Sequence, residues 1–226
     1  MKNLLLILLG FLLVGCASET EQKSMDEVAS IYDAKTAYSK GIKRTVGTPT
    51  EKTFTITVSE SKLIDSLNPN VSSANIGMLV YKALTEEEKR KYTHINVNML
   101  NLKKDSAKYR YTTASFARLI PKFKTFSAVS TALVDKEYKA LNDLKDAKEI
   151  PNDVSEFAEK KIAFLEQEYG KLKRFYSFGI GEASDEIGTI YQFQGFMEFQ
   201  NKRIPYIVVT DADPENDKMI GFNIFN

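Results

Sequence analysis

Apolar residues recur along this chain in two rhythms. Over 25–42, Val28, Ile31, Tyr38 and Ile42 share one face at helical spacing, and Gly41 with Gly47-Thr48-Pro49 marks an end, which predicts an opening helix. Positions 53–58 alternate Phe54, Ile56 and Val58, a strand. Asn68-Pro69-Asn70 signals a turn, and Ser73 caps a predicted helix over 74–84 that buries Ile76, Leu79, Val80 and Ala83. Thr85 followed by three glutamates is a capping box for a short charged helix ending near Tyr92. Strand rhythm returns over 93–100, with Ile95, Val97 and Met99 on one face and His94, Asn96 and Asn98 on a wetter one. A further strand is predicted over 108–116. Pro121 closes that unit, and a helix over 124–147 carries Phe126, Val129, Leu133, Tyr138, Leu141 and Leu144.

The second half repeats the alternation of helix and strands. Asp153 with Glu156 reads as a capping box, and Val154, Ala158, Ile162, Leu165, Tyr169 and Leu172 form one apolar stripe at spacings of four and three. Four strands follow, over 175–180, 187–199, 204–210 and 219–225. The second alternates Ile187, Tyr191, Phe193, Met197 and Phe199, with Gly195 on the apolar face, where a bend or bulge is usual. The fold class that follows is α+β, in two small domains, each with helices packed on an antiparallel sheet, over 25–147 and 148–226. A long helix followed by four strands, the longest carrying a glycine, resembles the cystatin-like or nuclear-transport-factor-like α+β roll. That resemblance implies a helix wrapped by a curved sheet, and it implies no particular activity.

The first residues carry an address. Lys2 precedes an apolar run over 4–14, broken only by Gly10. The run is shorter than the roughly 20 residues a membrane-spanning helix needs, so it reads as a secretory signal. Leu13-Val14-Gly15-Cys16 resembles the lipobox of bacterial lipoproteins, and Cys16 is the only cysteine of the chain. The resemblance implies a signal peptide over 1–15, lipid on Cys16 with fatty acylation such as palmitate, and a tether over 16–24. The pair Glu19 and Glu21 is similar to a surface-export signal of Bacteroidetes-type lipoproteins. Ala17 is not the enterobacterial inner-membrane retention signal, so the expected location is the cell envelope at the outer membrane. Two or three acyl chains anchor firmly, because each buried methylene contributes about 0.8 kcal/mol.

Composition narrows the chemistry. With 31 basic and 30 acidic side chains the charge is balanced, and removal of 1–15 takes away only Lys2. A balanced chain argues against nucleic acid as a partner and against electrostatic attachment to anionic lipid. One histidine and one cysteine leave no multi-histidine or cysteine metal cluster, and no cofactor is expected. The run Asp211-Ala212-Asp213-Pro214-Glu215-Asn216-Asp217 places carboxylates at alternate positions, but Asn216 and Phe222 stand where a calcium loop wants Gly and Glu. Gly179-Ile180-Gly181 lacks the third glycine of a dinucleotide loop and reads as a turn. A catalytic role for His94 would need a nucleophile or carboxylate brought to it by folding, and Glu86, Glu87 and Glu88 suit a helix N-terminus.

Aromatics crowd the last strands, and Tyr191, Phe193 and Tyr206 are the candidate binding residues if one face of that sheet lines a pocket. The competing reading packs them on the 154–173 helix. No catalytic constellation emerges. The expectation is therefore a membrane-anchored envelope lipoprotein acting as a non-catalytic binding or interaction module, with an envelope protein or peptide as partner. The alternative is a small enzyme using carboxylates or Tyr in a roll-shaped cavity.

Overall fold

The computed structural model describes residues 17–184 and 188–225. In chain order the elements are α1 (Glu19–Tyr32), β1 (Lys35–Lys43), β2 (Glu51–Ser59), α2 (Lys62–Ser66), α3 (Pro69–Ala83), α4 (Glu86–Lys91), β3 (His94–Leu100), β4 (Ser106–Thr112) and α5 (Thr113–Val134). A 3-10 turn (Tyr138–Ala140), α6 (Leu141–Leu144), α7 (Ser155–Tyr169), β5 (Leu172–Ser184), β6 (Thr189–Phe199), β7 (Arg203–Asp211) and β8 (Met219–Ile224) complete it. The class is α+β, with two four-stranded sheets ordered β1-β2-β3-β4 and β5-β6-β7-β8.

The second sheet is antiparallel throughout. In the first, β2 and β3 run parallel, where an antiparallel sheet was expected. The connection explains this. Residues 60–93 hold three helices, enough chain to return and re-enter the sheet in the same direction. The alternation read from the sequence holds: Phe54, Ile56, Val58, Ile95, Val97 and Met99 are buried on one face.

The opening helix lies earlier than predicted. Ser18 caps it, and Asp33 ends it in the left-handed region at φ 48°. Residues 35–43 are instead an edge strand, in which Tyr38 stacks on Phe54 with ring centroids 5.9 Å apart. The spacing of Tyr38 and Ile42 after Ile31 suits a helix, but Ile42 is exposed and fills no core position. The expected flexible tether over 16–24 also gives way, because the backbone is helical from Glu19 and both Glu21 and Ser24 are buried. Cys16, the lipobox and the signal segment lie outside the described residues, as do Ile187 and Asn226.

The start of α1 is stapled to its neighbours. The predicted capping box of α4 forms, and its Glu88 carboxylate accepts from Thr85 N at 2.8 Å, from Thr20 Oγ1 at 2.6 Å and from Ser18 Oγ. Glu21 accepts from Tyr92 Oη at 2.5 Å and pairs with Lys40 Nζ at 2.7 Å. Burial works to raise the Glu88 pKa, but the hydrogen bonds from Ser18, Thr20 and Thr85 outweigh it and hold the carboxyl at about 2.

The helix predicted over 124–147 begins at Thr113, capped by the Thr112 side chain, so strand β4 ends sooner than predicted. Pro121 lies inside this helix rather than closing the unit before it. Its missing N–H removes one helical bond, a loss the surrounding packing overrides. Residues 138–144 form only short turns of helix.

α5 is also the helix that crosses the second sheet. Phe126 packs on Phe175, Phe193 and Tyr206 with centroids 6.1, 5.9 and 5.7 Å away. The amphipathic helix α7 was expected in that place. It buries Ala158, Ile162 and Leu165 as predicted, but it flanks the sheet, with Phe157 against Phe222 and Tyr169 against Phe199. It stops at Gly170, which takes φ 81°, so Leu172 belongs to β5. Asp153 accepts from Ser155 N just before α7, while Glu156 pairs with Lys160 instead of closing a box. The irregularity expected at Gly195 is present at its pairing, on the partner strand. A Cβ at Gly195 would meet the Tyr206 ring at 2.4 Å, so the glycine makes room for that ring, and the register shift lies opposite, between Ser177 and Gly179.

The buried apolar side chains of both sheets belong to one continuous core. A polar cluster joins the halves at the β5 irregularity. Tyr32 Oη donates to Phe178 O at 2.7 Å, while Asn75 Nδ2 donates to Ser177 O at 3.0 Å and to Tyr32 Oη at 2.9 Å. α1 and α3 thereby satisfy carbonyls that an edge strand leaves unpaired. Burial raises the Tyr32 pKa far above the usual tyrosine range, so its proton stays on the oxygen as donor.

Two outcomes follow. Tyr32→Phe keeps the ring but strands the Phe178 carbonyl, and urea unfolding should show a loss of about 1–3 kcal/mol. A loss near zero would mean the cluster does not join the halves. Glu88 has a folded pKa of about 2 against an ordinary 4.5. Its depressed pKa gives stability that is present above the ordinary value and lost as pH falls towards 2. That loss is expected to be of order 2–3 kcal/mol and to vanish from the pH profile of Glu88→Gln.

Candidate functional site

The sequence-predicted binding residues do not form a pocket. Phe193 and Tyr206 are buried in the core beneath α5, and Tyr206 Oη is hydrogen-bonded to Ser130 Oγ at 2.5 Å. Tyr191 is partly buried beside them on the same sheet face. These aromatics form the seat of a helix, which is α5 and not the predicted 154–173 segment. The reason is geometric: α5 supplies a Phe at the position where Gly195 leaves the Tyr206 ring free to stack, with the two rings only 12° from parallel.

A different aromatic surface is accessible. Where the two halves meet, a cleft of two adjoining depressions, about 210 Å³ each, shares Glu27, Ile31, Phe175 and Tyr176. α1 brings Glu27 and Ile31, α3 brings Leu79 and Lys82, α5 brings Phe123, Phe126 and Ser127, and β5 brings Arg174, Phe175 and Tyr176. Each element reaches it for a reason already visible in the fold. α1 and α3 are pulled to β5 by the Tyr32–Asn75 cluster, and α5 by Phe126.

The cleft is apolar with charged margins. Lys82 Nζ lies 5.4 Å from the Phe123 ring and 3.3 Å from Glu27 Oε1. Arg174 and Arg203 lie over the Tyr176 ring at 5.8 and 5.1 Å and both engage Glu198. Tyr176 Oη is buried yet has no hydrogen-bond partner among the described residues. Burial raises its pKa, so it remains a neutral hydroxyl able to donate and accept. A buried hydroxyl without a partner costs about 1–3 kcal/mol. Sequence reading missed Tyr176 because its cleft is assembled from both halves. The only local signal is Phe175-Tyr176 in a strand, directly after Lys171, Lys173 and Arg174.

The acidic loop over 211–217 is occupied from within the chain. Lys122, on α5, is 2% exposed and donates from Nζ to Asp213 O and Asn216 O at 2.5 Å each, while pairing with Asp217 Oδ1 at 2.9 Å. Thr125 Oγ1 adds a bond to Asp217 O. The oxygens of this loop wrap an internal ammonium. The signal lay in the sequence: Lys122, Phe126, Val129 and Leu133 recur at four, three and four, which puts a lysine on the buried stripe.

The other candidates resolve simply. His94, Asn96 and Asn98 lie on the polar face as predicted; His94 Nδ1 is 2.9 Å from Thr93 Oγ1, and burial, then Arg110, lowers its pKa. Gly179 and Gly181 lie within β5 and not in a turn, and a Cβ at Gly179 would meet Val71 at 2.6 Å. Among the described residues no three His, Cys, Asp or Glu gather to hold a metal, and no helix is long and apolar enough to cross a membrane. Comparison with family models, with curated proteins and with solved structures gives no match.

Lys122→Met removes the ammonium and leaves its half-buried carbonyl partners without a donor. Urea unfolding should show a loss of about 3 kcal/mol, against at most about 0.5 for Lys124→Met on the exposed side of the same helix. Equal, small losses would mean the loop does not depend on that cation.

Proposed function

We propose that this chain is a lipid-anchored protein of the bacterial cell envelope, held at the outer membrane through Cys16, and that its folded body is a non-catalytic binding module. The cleft between the halves is the binding site, and the partner is a peptide segment of an envelope protein. The observation that carries this reading is the Tyr176 hydroxyl, buried without a partner in a cleft floored by Phe123, Phe126 and Phe175. Such a surface suits an aromatic or aliphatic side chain with one adjacent polar group, since apolar walls supply affinity and a single placed hydroxyl sets orientation. The carboxylate among the cleft's lining residues, Glu27, is engaged by Lys82, which favours binding over acid–base work. The lipobox Leu13-Val14-Gly15-Cys16 supports the anchor, and the balanced charge leaves the lipid to do the holding.

Two measurements test it. Cys16→Ser should abolish labelling by a fatty-acid probe and release the chain from the membrane fraction; labelling that persists would remove the anchor. Separately, a displayed peptide library selected on the detergent-solubilised chain should enrich sequences with an aromatic residue. Ser127→Phe fills the cleft and should lower retention of those peptides at least tenfold. Equal retention by that variant would remove the cleft as the site.

A further inference from the structure

The first sheet has one face packed by helices and one bare. The bare face is built from side chains at alternate positions of all four strands, and the register sets them in rows. One row runs Ser39, Thr55, Asn96, Arg110; the next runs Ala37, Thr57, Asn98, Lys108. Each row passes from a small residue through a threonine and an asparagine to a cation on β4. Neighbouring strands lie about 4.8 Å apart, so the rows are about 14 Å long, and successive rows are about 7 Å apart.

A solvated sheet face ordinarily carries long charged side chains in its centre. Here the centre is short, and it forms a shallow trough of about 400 Å³ lined by Ser39, Thr55, Asn96, Asn98, Lys108, Tyr109 and Arg110; by the strand alternation Tyr109 belongs to the opposite face, paired with Val97. Gly41 keeps the adjoining row low as well, since a Cβ there would meet Thr53 Oγ1 at 2.6 Å. The trough presents hydrogen-bonding groups that the fold does not use. Asn96 donates to Thr55 Oγ1 at 3.2 Å, but its Oδ1 is buried with no partner among the described residues. Charge on this face is one-sided. Lys108 and Arg110 border the trough, Lys43 lies in a flanking row, and the one carboxylate among these rows, Glu51, is held by Arg110 at 2.9 Å.

We propose that this face binds an acidic polysaccharide, a polymer bearing many hydroxyls and a carboxylate at regular intervals. Hydroxyls and amides in rows match sugar hydroxyls in both donor and acceptor roles. The cations at the row ends match carboxylates, Arg by its fork and Lys as a point charge. The repetition of the row favours a repeating ligand over a single small anion. The two rows themselves carry neither the large apolar side chains that insert into a lipid surface nor aromatics on which nucleobases stack. This site is separate from the cleft, and its test does not depend on the lipid anchor.

The detergent-solubilised full chain, run in native gels containing polygalacturonate, should be retarded, and in gels containing neutral dextran it should not. Retardation should weaken as salt is raised. Lys108→Glu should lower the apparent affinity at least tenfold. Asn98→Leu, which changes no charge and blocks the trough, should lower it at least fivefold. Lys23→Glu, on the helix side of the sheet, should leave it within twofold, with the melting temperature of each variant checked against the parent. Absence of retardation overturns the proposal. So does an equal loss in Lys108→Glu and Lys23→Glu, which would mark a net-charge effect. Binding to vesicles containing anionic lipid that Lys108→Glu abolishes, without polygalacturonate binding, would assign the face to a membrane instead and equally overturn it. Should Asn98→Leu melt early, Asn98→Gln, which lengthens the same amide, serves in its place and must give the same direction.

Discussion

The rest of this structure depends on how the exposed edge of the second sheet is closed. Around Ser177 and Phe178 the pairing of β5 with β6 slips, and backbone carbonyls face away from any strand. Tyr32 and Asn75, carried by helices that belong to the first sheet, donate to those carbonyls. Buried carbonyls demand partners, and the penalty for leaving one bare is comparable to a sizeable part of a domain's net stability. One requirement of backbone chemistry thus fixes the distance between the halves. Once α1 and α3 are held there, α5 has room to cross the second sheet, and the cleft around Tyr176 is what remains between them.

Much of this was legible in the residues. The alternation of Ile95, Val97 and Met99 against His94, Asn96 and Asn98 identified both faces of β3, and the Thr85–Glu88 box identified the start of α4. Strand and helix rhythms are local, so local reading finds them. The failures are non-local. Tyr38 follows Ile31 at a helical interval, yet Asp33 turns left-handed and the chain leaves as a strand that pairs with residues 51–59. Pro121 reads as a stop, yet the packing of Phe116, Phe126 and Val129 on either side sustains a helix through it. The aromatics of β6 and β7 were visible as a group, but which helix covers them depends on where Gly195 leaves room for the Tyr206 ring. The cleft was invisible, since its walls come from five elements spread along the sequence.

The two candidate surfaces use opposite strategies. The cleft between the halves is narrow and aromatic, with one hydroxyl held ready. The bare face of the first sheet is broad and polar, with short side chains in register and cations along one border. They are built on different sheets and share no residue, so occupation of one leaves the other free. A chain with no net bias of charge overall nevertheless concentrates cations on one side of one sheet, and the balance of 31 basic against 30 acidic residues conceals that arrangement.

The loop over 211–217 has a consequence of its own. Loops rich in aspartate and carbonyl oxygen usually take their shape from a divalent ion, and they lose it when the ion is scarce. Here the positive charge is delivered by Lys122, covalently part of the chain and present in fixed proportion from the moment of synthesis. The hairpin between β7 and β8 thus carries its countercharge inside the chain, so its shape is tied to the placement of α5 and is set in the same event that packs Phe126 on the second sheet.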